Sequence, residues 1–540
     1  MIPRPRFTTR LTRVRSAVLG VVLRPFRWFS AATQLALGFI FLVVPTTLLL
    51  TRWPLTIKSL ELFALVLASY FVVWRFVESR EANVDISISK RRAFALVGSA
   101  ILVETAVMRL GFMVAAGLAA QSTRAPLDDP SVWALTIPFA AASLLVTMLL
   151  NRQLGLITGV IVSVFAGLLA PNWIQGAFYS FVSCLAAVYG IKRYRERQSV
   201  TLAGLVVAGI NCITALALVS FATRPLTVTG AMVAGGCAVG GGLLTTIFAG
   251  GGVPINESLF GILTDIRLLE LSNADLPVLS QLALRAPGTN QHSHAVGQLA
   301  EDASRAIGAN ALLARIGSLY HDIGKVAAPD HFVENQTGSN PHDRLRPTAS
   351  ARIITSHVTY GLKLAREIGL PKRVADFIPQ HHGTRTLHFF LQKAEQQAAN
   401  GGKVNEAEFR YPGPKPQFKE AAILMLADSA EAAARSLAHP DPDCIRAIVV
   451  RIFDAITSDG QLDESTLTLR ELAQIRETLI SSLTALYHPR INYPGFNVTA
   501  PIPTGAAPTG DEEQGAIYEK AADVPINPSG EVEDEAISRG

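Results

Sequence analysis

Long apolar runs constrain this chain more than any other feature. About eight of them fall between residues 30 and 252, at approximately 31–50, 58–77, 93–119, 131–150, 154–171, 174–191, 200–222 and 229–252. Most are long enough to cross the hydrocarbon core of a bilayer, which needs about 20 residues of helix. We therefore predict an all-α protein that opens with a polytopic transmembrane helical bundle of about eight helices over residues 30–252.

Basic residues outside these runs indicate how the bundle is oriented. Residues 1–29 form a basic N-terminus with seven arginines and no acidic residue, and residues 90–92 and 192–197 add further clusters. The positive-inside rule places such clusters in the cytoplasm, and an even number of spans returns the C-terminal half there. These loops explain the net charge of +5, so we expect no nucleic-acid polymer as a partner.

The C-terminal half divides by composition. We expect residues 253–290 to be a juxtamembrane connector. Residues 291–493 carry apolar residues at i, i+3, i+4 spacing, which predicts an all-helical domain. Proline and acidic residues in 494–540 predict a disordered tail. The four cysteines show no CxxC spacing, which argues against a disulfide framework or a thiolate metal site.

The histidines indicate where the chemistry lies, because all eleven fall between residues 292 and 488. In the adjacent pair His321 and Asp322, an imidazole and a carboxylate can hold one cation while the second carboxylate oxygen reaches another. Asp428 stands in an apolar helical stretch, where a carboxylate is almost never buried unless it is paired or metal-bound. The candidate metal ligands are His292, His321, Asp322, His357, His381, His382 and Asp428.

Five imidazoles and two carboxylates form a mixed nitrogen and oxygen donor set. Such a set suits Mn, Fe or Zn better than Cu(I) or an iron–sulfur cluster. Two divalent ions about 3.5–4 Å apart can hold a bridging hydroxide as nucleophile and clamp the oxygens of a phosphoryl group. The pattern therefore favours a phosphohydrolase that depends on two divalent metal ions.

In this order the candidate ligands resemble those of the HD-domain phosphohydrolases. Longer strings resemble the seven-transmembrane HD-domain cyclic di-AMP phosphodiesterases, over about residues 58–490. The strings lie at 260–272, 286–289, 320–325, 334–336, 340–343, 380–384 and 410–416. The family usually carries a large extracytoplasmic domain after its first span, whereas only about residues 51–58 separate the first two runs here. The resemblance therefore leaves the controlling signal open.

The resemblance implies a reaction, a metal and a location. It implies a cytoplasmic HD domain anchored in the bacterial inner membrane, with two divalent ions (iron or manganese) and cyclic di-AMP as the substrate opened to linear pApA. One ion would take His292, His321, Asp322 and Asp428. The other would take His357, His381 and His382, with Asp322 bridging the two ions. A homo-oligomer is left open.

Four residues are candidates for contacting the substrate. Lys325 lies one turn after Asp322 and can place its ammonium on a phosphate, so we assign it to catalysis together with Asp322. Arg435 lies two turns after Asp428 on the same helix face and can contact a second phosphate. Asn340 and His342 can line the pocket from a loop.

Two other functions stay open on the sequence. Hydrolysis of cyclic di-GMP or another nucleotide would keep the enzyme class. That HD subgroup carries a Gly-Tyr-Pro string soon after the paired histidines, whereas Gly383-Thr384-Arg385-Thr386 follows here. A catalytically silent membrane nucleotide receptor would be favoured by loss of metal ligands, and none of the seven is lost.

Overall fold

The structure, a computed structural model, describes residues 30–51, 57–79, 88–191, 198–221, 227–398, 404–437 and 440–487. The predicted basic N-terminus at 1–29 and the predicted tail at 494–540 lie outside these residues. Every regular element in the described part is helical, and the β-type pairing there is one isolated bridge between Thr386 and Arg410. The prediction of an all-α protein is confirmed.

The helices of the first half account for its apolar composition. They are α1 (Ala31–Leu50), α2 (Ile57–Glu78), α3 (Lys90–Ala120), α4 (Pro130–Ala134), α5 (Ala141–Leu149), α6 (Arg152–Leu169), α7 (Trp173–Gly190), α8 (Gln198–Ser220) and α9 (Val228–Phe260). Six of them, α1, α2, α3, α6, α8 and α9, are long and apolar enough to cross a membrane. Large apolar side chains such as Phe41, Phe71 and Ile213 are exposed on them, as lipid-facing side chains are.

The apolar run at 131–150 is not the single span that its length predicts. It forms the short helices α4 and α5, which a non-helical stretch at 135–140 separates. Pro138 explains the interruption, because proline lacks a backbone N–H and disfavours helical geometry at the residue before it. The run at 174–191 is helical as α7 but is not among the six long apolar helices. The count of about eight spans stays a prediction.

Helix α9 leads from the membrane half into the second half. It ends at Gly261, whose φ of +69° is the left-handed conformation that favours glycine at a helix C-terminus. The hydroxyl of Thr264 lies 2.5 Å from a carboxylate oxygen of Glu257 and also accepts from the N–H of Arg267. Thr264 thereby caps the next helix, α10 (Asp265–Leu271). These hydrogen bonds fix the geometry of the segment that joins α9 to α10.

The second half folds around an apolar core of its own. Its helices continue as α11 (Pro277–Arg285), α12 (Pro287–Ala306), α13 (Ala311–Tyr320), α14 (Pro347–Glu367), α15 (Lys372–Ala375), α16 (Phe377–Gln380), α17 (His388–Gln397), α18 (Lys419–Arg435), α19 (Pro442–Ser458) and α20 (Leu469–Leu486). The buried core of the membrane half ends at Ile262, and the second core begins at Leu268. The segment predicted as a connector therefore divides between the end of α9 and helices that pack into the second core.

Close packing between helical segments brings the predicted ligands together. Helix α13 ends just before His321, and a 3-10 turn at Ile323–Ala327 follows Asp322. This turn lies directly against α14, because a Cβ at Gly324 would overlap the carbonyl oxygen of His357. Only glycine permits this close approach, which fixes the distance between the pair His321 and Asp322 and helix α14.

Candidate metal centre

All seven predicted metal ligands converge in the second half of the chain. Their donor atoms form three overlapping groups, and within each group the atoms lie within 4.8 Å of one another. The groups are His292, His321 and Asp428; His357, His381 and His382; and His321, Asp322 and His381. Six of the side chains are buried and His382 is half-buried. The third group shares members with the other two, so the seven residues form one continuous site.

Backbone carbonyls fix the orientation of three imidazoles. The Nδ1 atoms of His321, His357 and His381 lie 2.6, 2.7 and 2.8 Å from the carbonyl oxygens three residues earlier in the chain. A carbonyl oxygen can only accept, so Nδ1 carries the proton and Nε2 of the neutral ring offers its lone pair to the site. Metal-bound histidines are held in this way.

Four atoms that face into the site lack hydrogen-bond partners among the described residues. They are Nε2 of His321, His357 and His381 and Oδ1 of Asp322, and all four are buried. A buried polar atom without a partner raises the free energy of the folded state. Cations bound among these atoms would satisfy them, so the donor set fits divalent metal ions.

The carboxylate of Asp322 faces two sets of histidines. Its Oδ2 lies 3.1 Å from Nε2 of His321. Its Oδ1 lies 3.5 Å from Nε2 of His357 and 3.6 Å from Nε2 of His381. These last two distances are too long for good hydrogen bonds. One carboxylate thus reaches both halves of the site with different oxygens.

Acidic neighbours raise the pKa of the histidines near Asp428. Burial would lower the pKa of His292, but its bonds to Asp428 and Glu431 outweigh burial and raise it to about 9. Burial opposes protonation of His321 as well, yet Asp322 and Asp428 raise its pKa to about 10. Burial would raise the pKa of both aspartates, but the neighbouring histidines hold it well below its usual range. Without a metal, this half of the site is a set of ion pairs.

The other three histidines are neutral at physiological pH. Burial, followed by the charge of His321, lowers the pKa of His381 to about 3. Burial also lowers the pKa of His357, and it lowers that of His382 well below its usual range. These imidazoles can therefore bind a metal without first losing a proton.

Glu431 belongs to the site although the sequence analysis did not identify it. Its Oε2 lies 2.6 Å from Nδ1 of His292, whose Nε2 lies 2.9 Å from Oδ1 of Asp428. The hydroxyl of Tyr487 is 3.2 Å from the other oxygen of Glu431. A carboxylate on the outer nitrogen of a metal-binding histidine fixes the ring and increases its basicity. The signal in the sequence was a second acidic residue, three positions after Asp428 in the same apolar helix.

Lys325 is tied to the site by two carboxylates. Its Nζ lies 2.8 Å from Oδ2 of Asp322 and 2.8 Å from Oε1 of Glu334. Burial would lower the pKa of this lysine, but the two carboxylates outweigh burial and raise it. Glu334 also accepts a hydrogen bond from the hydroxyl of Thr289 at 2.8 Å. Lys325 is therefore a permanent cation that holds one oxygen of Asp322.

The remaining predicted substrate contacts lie outside the three ligand groups. Asn340 is exposed, and its Oδ1 accepts from the backbone N–H of His342 at 3.0 Å. His342 is buried, and its Nε2 lies 2.9 Å from the carbonyl oxygen of His331. Arg435 is exposed in the last turn of α18. A part for these three residues in substrate binding stays a prediction.

Tyr411 forms one wall beside the second histidine group. Its ring stacks on His382 with the ring centroids 4.1 Å apart and the planes 27° from parallel. The sequence analysis gave this residue no role, although it lies in the string at 410–416. The contacts described above include no hydrogen bond between the His382 ring and a backbone carbonyl. The stack with Tyr411 restricts the rotation of this ring.

Comparison with known families agrees with this architecture. The family described as "7TM receptor with intracellular HD hydrolase" matches residues 57–264, and the family described as "HD domain" matches residues 289–433. This chain belongs to the 7TM receptors with an intracellular HD hydrolase. The HD domain of this 7TM-HD protein implies binding of a divalent metal, and the His and Asp groups provide for it.

Two named relatives resemble most of this 7TM-HD protein. Cyclic-di-AMP phosphodiesterase PgpH of Bacillus subtilis is 39% identical over 368 residues, which are 66% of this chain and 51% of the relative. Cyclic-di-AMP phosphodiesterase PgpH of Listeria monocytogenes is 39% identical over 364 residues, which are 67% of this chain and 50% of the relative. The chain spans about half the length of these two proteins.

Solved structures of the HD domain of L. monocytogenes PgpH are also similar to this 7TM-HD protein. One is 45% identical with a TM-score of 0.38, and it covers 40% of this chain and 100% of that domain. The other, in complex with cyclic-di-AMP, is 46% identical with the same TM-score and coverage.

Proposed function

We propose that this chain is a membrane-anchored, metal-dependent phosphodiesterase that hydrolyses cyclic di-AMP to linear pApA. The observation that carries the proposal is the convergence of seven donor side chains around buried nitrogen and oxygen atoms without hydrogen-bond partners. The identity of 39% to two cyclic-di-AMP phosphodiesterases supports the choice of substrate.

Two divalent ions, iron or manganese, complete the proposed site. One is assigned to His292, His321, Asp322 and Asp428, and the other to His357, His381 and His382. Asp322 is assigned as the bridge, because its two oxygens face different histidines. When bound, such a pair supplies a hydroxide nucleophile and neutralises charge on the phosphoryl oxygens.

The chain's own residues orient the site. Lys325 holds Oδ2 of Asp322 and keeps that carboxylate ionised. An ammonium has three donors, so the one not engaged by Asp322 or Glu334 can bind a phosphate oxygen of the substrate. Arg435 is assigned to a second phosphate of the substrate, and Asn340 and His342 are assigned to the lining of the pocket. Glu431 orients His292.

The proposed location is the bacterial inner membrane, with the HD domain on the cytoplasmic side. The arginines of residues 1–29 and the basic residues at 192–197 support this orientation through the positive-inside rule. Two separate apolar cores, one whose last residue is Ile262 and one whose first residue is Leu268, support a division into a membrane domain and an HD domain of about residues 291–493.

Product analysis of the full-length protein tests the proposal. The protein, purified in detergent and loaded with Mn²⁺, is incubated with cyclic di-AMP or with cyclic di-GMP, and the products are separated by chromatography. We expect pApA from cyclic di-AMP, with kcat/KM for cyclic di-GMP lower by at least about tenfold. A preference for cyclic di-GMP would favour the other substrate. Binding of cyclic di-AMP and metal without product would favour a silent receptor.

A matched pair of variants links turnover to the site. Asp322→Ala removes the proposed bridge and is expected to yield no product above background. Asp454→Ala removes an exposed carboxylate on α19 and is expected to leave turnover unchanged. Equal turnover in the two variants would exclude the proposed mechanism.

A further inference from the structure

The residue just before the pair His321 and Asp322 (called the HD pair below) is bonded to the segment that leaves the membrane half. Tyr320 is the last residue of α13, and its side chain is fully buried. Its hydroxyl donates a hydrogen bond to the carbonyl oxygen of Leu271 at 2.8 Å. Leu271 is the last residue of α10, the first helix after the membrane half. One hydrogen bond thus joins α10 to the position next to a proposed metal ligand.

Helix α10 depends on contacts outside itself. It has seven residues, whereas an isolated helix shorter than about 12 residues is only marginally stable in water. The last four carbonyl groups of any helix lack a partner within that helix, and Tyr320 supplies a partner for the carbonyl of Leu271. The side chains of Leu268 and Leu271 are buried in the second core. The order of α10 is therefore linked to the position of the end of α13.

The opposite end of α10 is bonded to the last turns of α9. The hydroxyl of Thr264 accepts from the N–H of Arg267 at 3.3 Å and donates to a carboxylate oxygen of Glu257. Glu257 lies in α9, the 33-residue helix that runs out of the membrane half. Hydrogen bonds at the two ends of α10 therefore connect α9 to the HD pair in sequence.

Helix α11, the next helix along the chain, contacts the other side of the HD pair. It packs on the 3-10 turn at Ile323–Ala327, which begins directly after Asp322. Helix α10 packs on α13, which ends directly before His321. Leu282 of α11 is fully buried and belongs to the same core as Ile323. The HD pair thus lies between two segments that both contact the helices following the membrane half.

We propose that Tyr320 is a positioning residue that couples helix α10 to the HD pair. Through its hydroxyl, an ordered α10 and a metal-loaded site stabilise each other, so a displacement of α10 by the membrane half changes how firmly His321 and Asp322 hold metal. Such coupling is reciprocal, because a metal that favours one position of α13 must also favour the matching position of α10. The inference rests on the proposed metal centre, and its test measures metal binding without substrate.

Hydrogen exchange of the full-length protein in detergent measures the coupling from the metal side. Amide exchange in Asp265–Leu271 is followed by mass spectrometry in metal-free and in Mn²⁺-loaded protein. We expect Mn²⁺ to slow this exchange by at least about fivefold, the lower end of typical coupling between two sites. In Tyr320→Phe, which removes only the hydroxyl, the slowing should fall below about twofold. Exchange in α18 around Asp428 should still be slowed as in the unaltered protein.

A second tyrosine provides the matched control. Tyr360→Phe removes an exposed hydroxyl from α14 and should leave the slowing in α10 unchanged. Equal slowing in Tyr320→Phe and in the unaltered protein would overturn the proposal. An α10 that does not respond to bound Mn²⁺ in the unaltered protein would overturn this inference alone. Unaltered protein that binds no Mn²⁺ would overturn the proposed metal centre, and this inference with it.

A substitution at the far end of α10 measures the coupling from the other side. Thr264→Val keeps the shape of the side chain and removes the cap of α10. We expect it to weaken Mn²⁺ binding by the group of His292, His321 and Asp428 by about threefold or more. In a Tyr320→Phe background the same substitution should change this affinity by less than about twofold, because the connection is already broken. Equal effects in the two backgrounds would refute the part given to Tyr320. If Tyr320→Phe fails to fold, an unchanged Mn²⁺ affinity in Thr264→Val alone would overturn the proposal.

Discussion

Nδ1 of His292 on α12 lies 2.6 Å from Oε2 of Glu431 on α18, and both side chains are buried. The same ring reaches Oδ1 of Asp428 with its other nitrogen, at 2.9 Å. One imidazole is thus held from both sides by carboxylates one helical turn apart. Of these two carboxylates, Asp428 is a proposed metal ligand and Glu431 is the group that orients the ring.

Loss of Glu431 should weaken metal binding without removing a ligand. We expect Glu431→Ala to lower the affinity of the His292 group for Mn²⁺ by about 10- to 100-fold, the usual effect of removing a carboxylate that supports a ligand histidine. Titration of metal-free protein with Mn²⁺ measures this. The exposed Glu395→Ala on α17 serves as control and should bind as the unaltered protein does. An unchanged affinity in Glu431→Ala would show that the contact with His292 has no part in metal binding.

The two histidine groups should respond differently to pH. Metal binding must displace protons from His292 and His321, whose pKa values are about 9 and about 10. The affinity of their group should therefore rise with pH, by up to about 100-fold per unit below pH 9 if both protons leave. The pKa of each histidine in the group of His357, His381 and His382 is lowered, so this group needs to lose fewer protons and its affinity should change much less with pH.

Calorimetry in buffers of different ionisation enthalpy measures the released protons. We expect proton release when the group of His292, His321 and Asp428 is filled, and much less when the group of His357, His381 and His382 is filled. Equal pH dependence of the two binding steps would contradict the assignment of the groups.

The sequence predicted the ligands better than their surroundings. His321, Asp322 and the other five ligands stand in strings that carry their chemistry in their residue types. Glu431 was missed because a carboxylate in an alanine-rich helix is recognisable as buried only when Tyr487 and His292 are seen to pack on it. Contacts of Asn340 and Arg435 with the substrate could not be derived from the sequence. They depend on where the bound substrate lies and not on the chain alone.

Prediction from the sequence was limited in the same way in the membrane half. Apolar runs predicted helices throughout, but run length alone suggested a single span at 131–150. Pro138 was visible in the sequence, and its effect depended on whether neighbours would cover the freed backbone. Tyr179 and the close approach of Gly241 to the carbonyl oxygen of Leu135 do so. Such tertiary contacts are not encoded in local hydropathy.

The 3-10 turn at Ile323–Ala327 should be sensitive to a single added methyl group. Gly324→Ala would overlap the carbonyl oxygen of His357, so we expect a loss of roughly 1–3 kcal/mol in the free energy of unfolding. Gly338→Ala is the control, since a Cβ there has nothing within 4 Å. Thermal melts of the two metal-free proteins measure the difference. Equal melting temperatures would show that the turn and α14 do not make this contact.

Native cysteines allow a test of the proposed orientation. Cys444 is exposed on α19 of the HD domain, and its hydrogen bond with Asp441 raises the pKa of its thiol, so labelling is best done at mildly alkaline pH. A membrane-impermeant maleimide should label it in inverted membrane vesicles and not in intact spheroplasts. Cys444→Ser gives the background from Cys212 and Cys237, which are partly buried in the membrane half. Labelling of Cys444 in intact spheroplasts would place the HD domain outside the cytoplasm.

Metal content of the purified protein is the decisive measurement for a site that holds two ions. After loading with Mn²⁺ and removal of free metal, elemental analysis should find two ions per chain in the unaltered protein. We expect about one in His381→Ala, which removes a ligand of a single ion, and fewer than one in Asp322→Ala, which removes the ligand common to both. Two ions per chain in Asp322→Ala would show that Asp322 is not a ligand common to both ions.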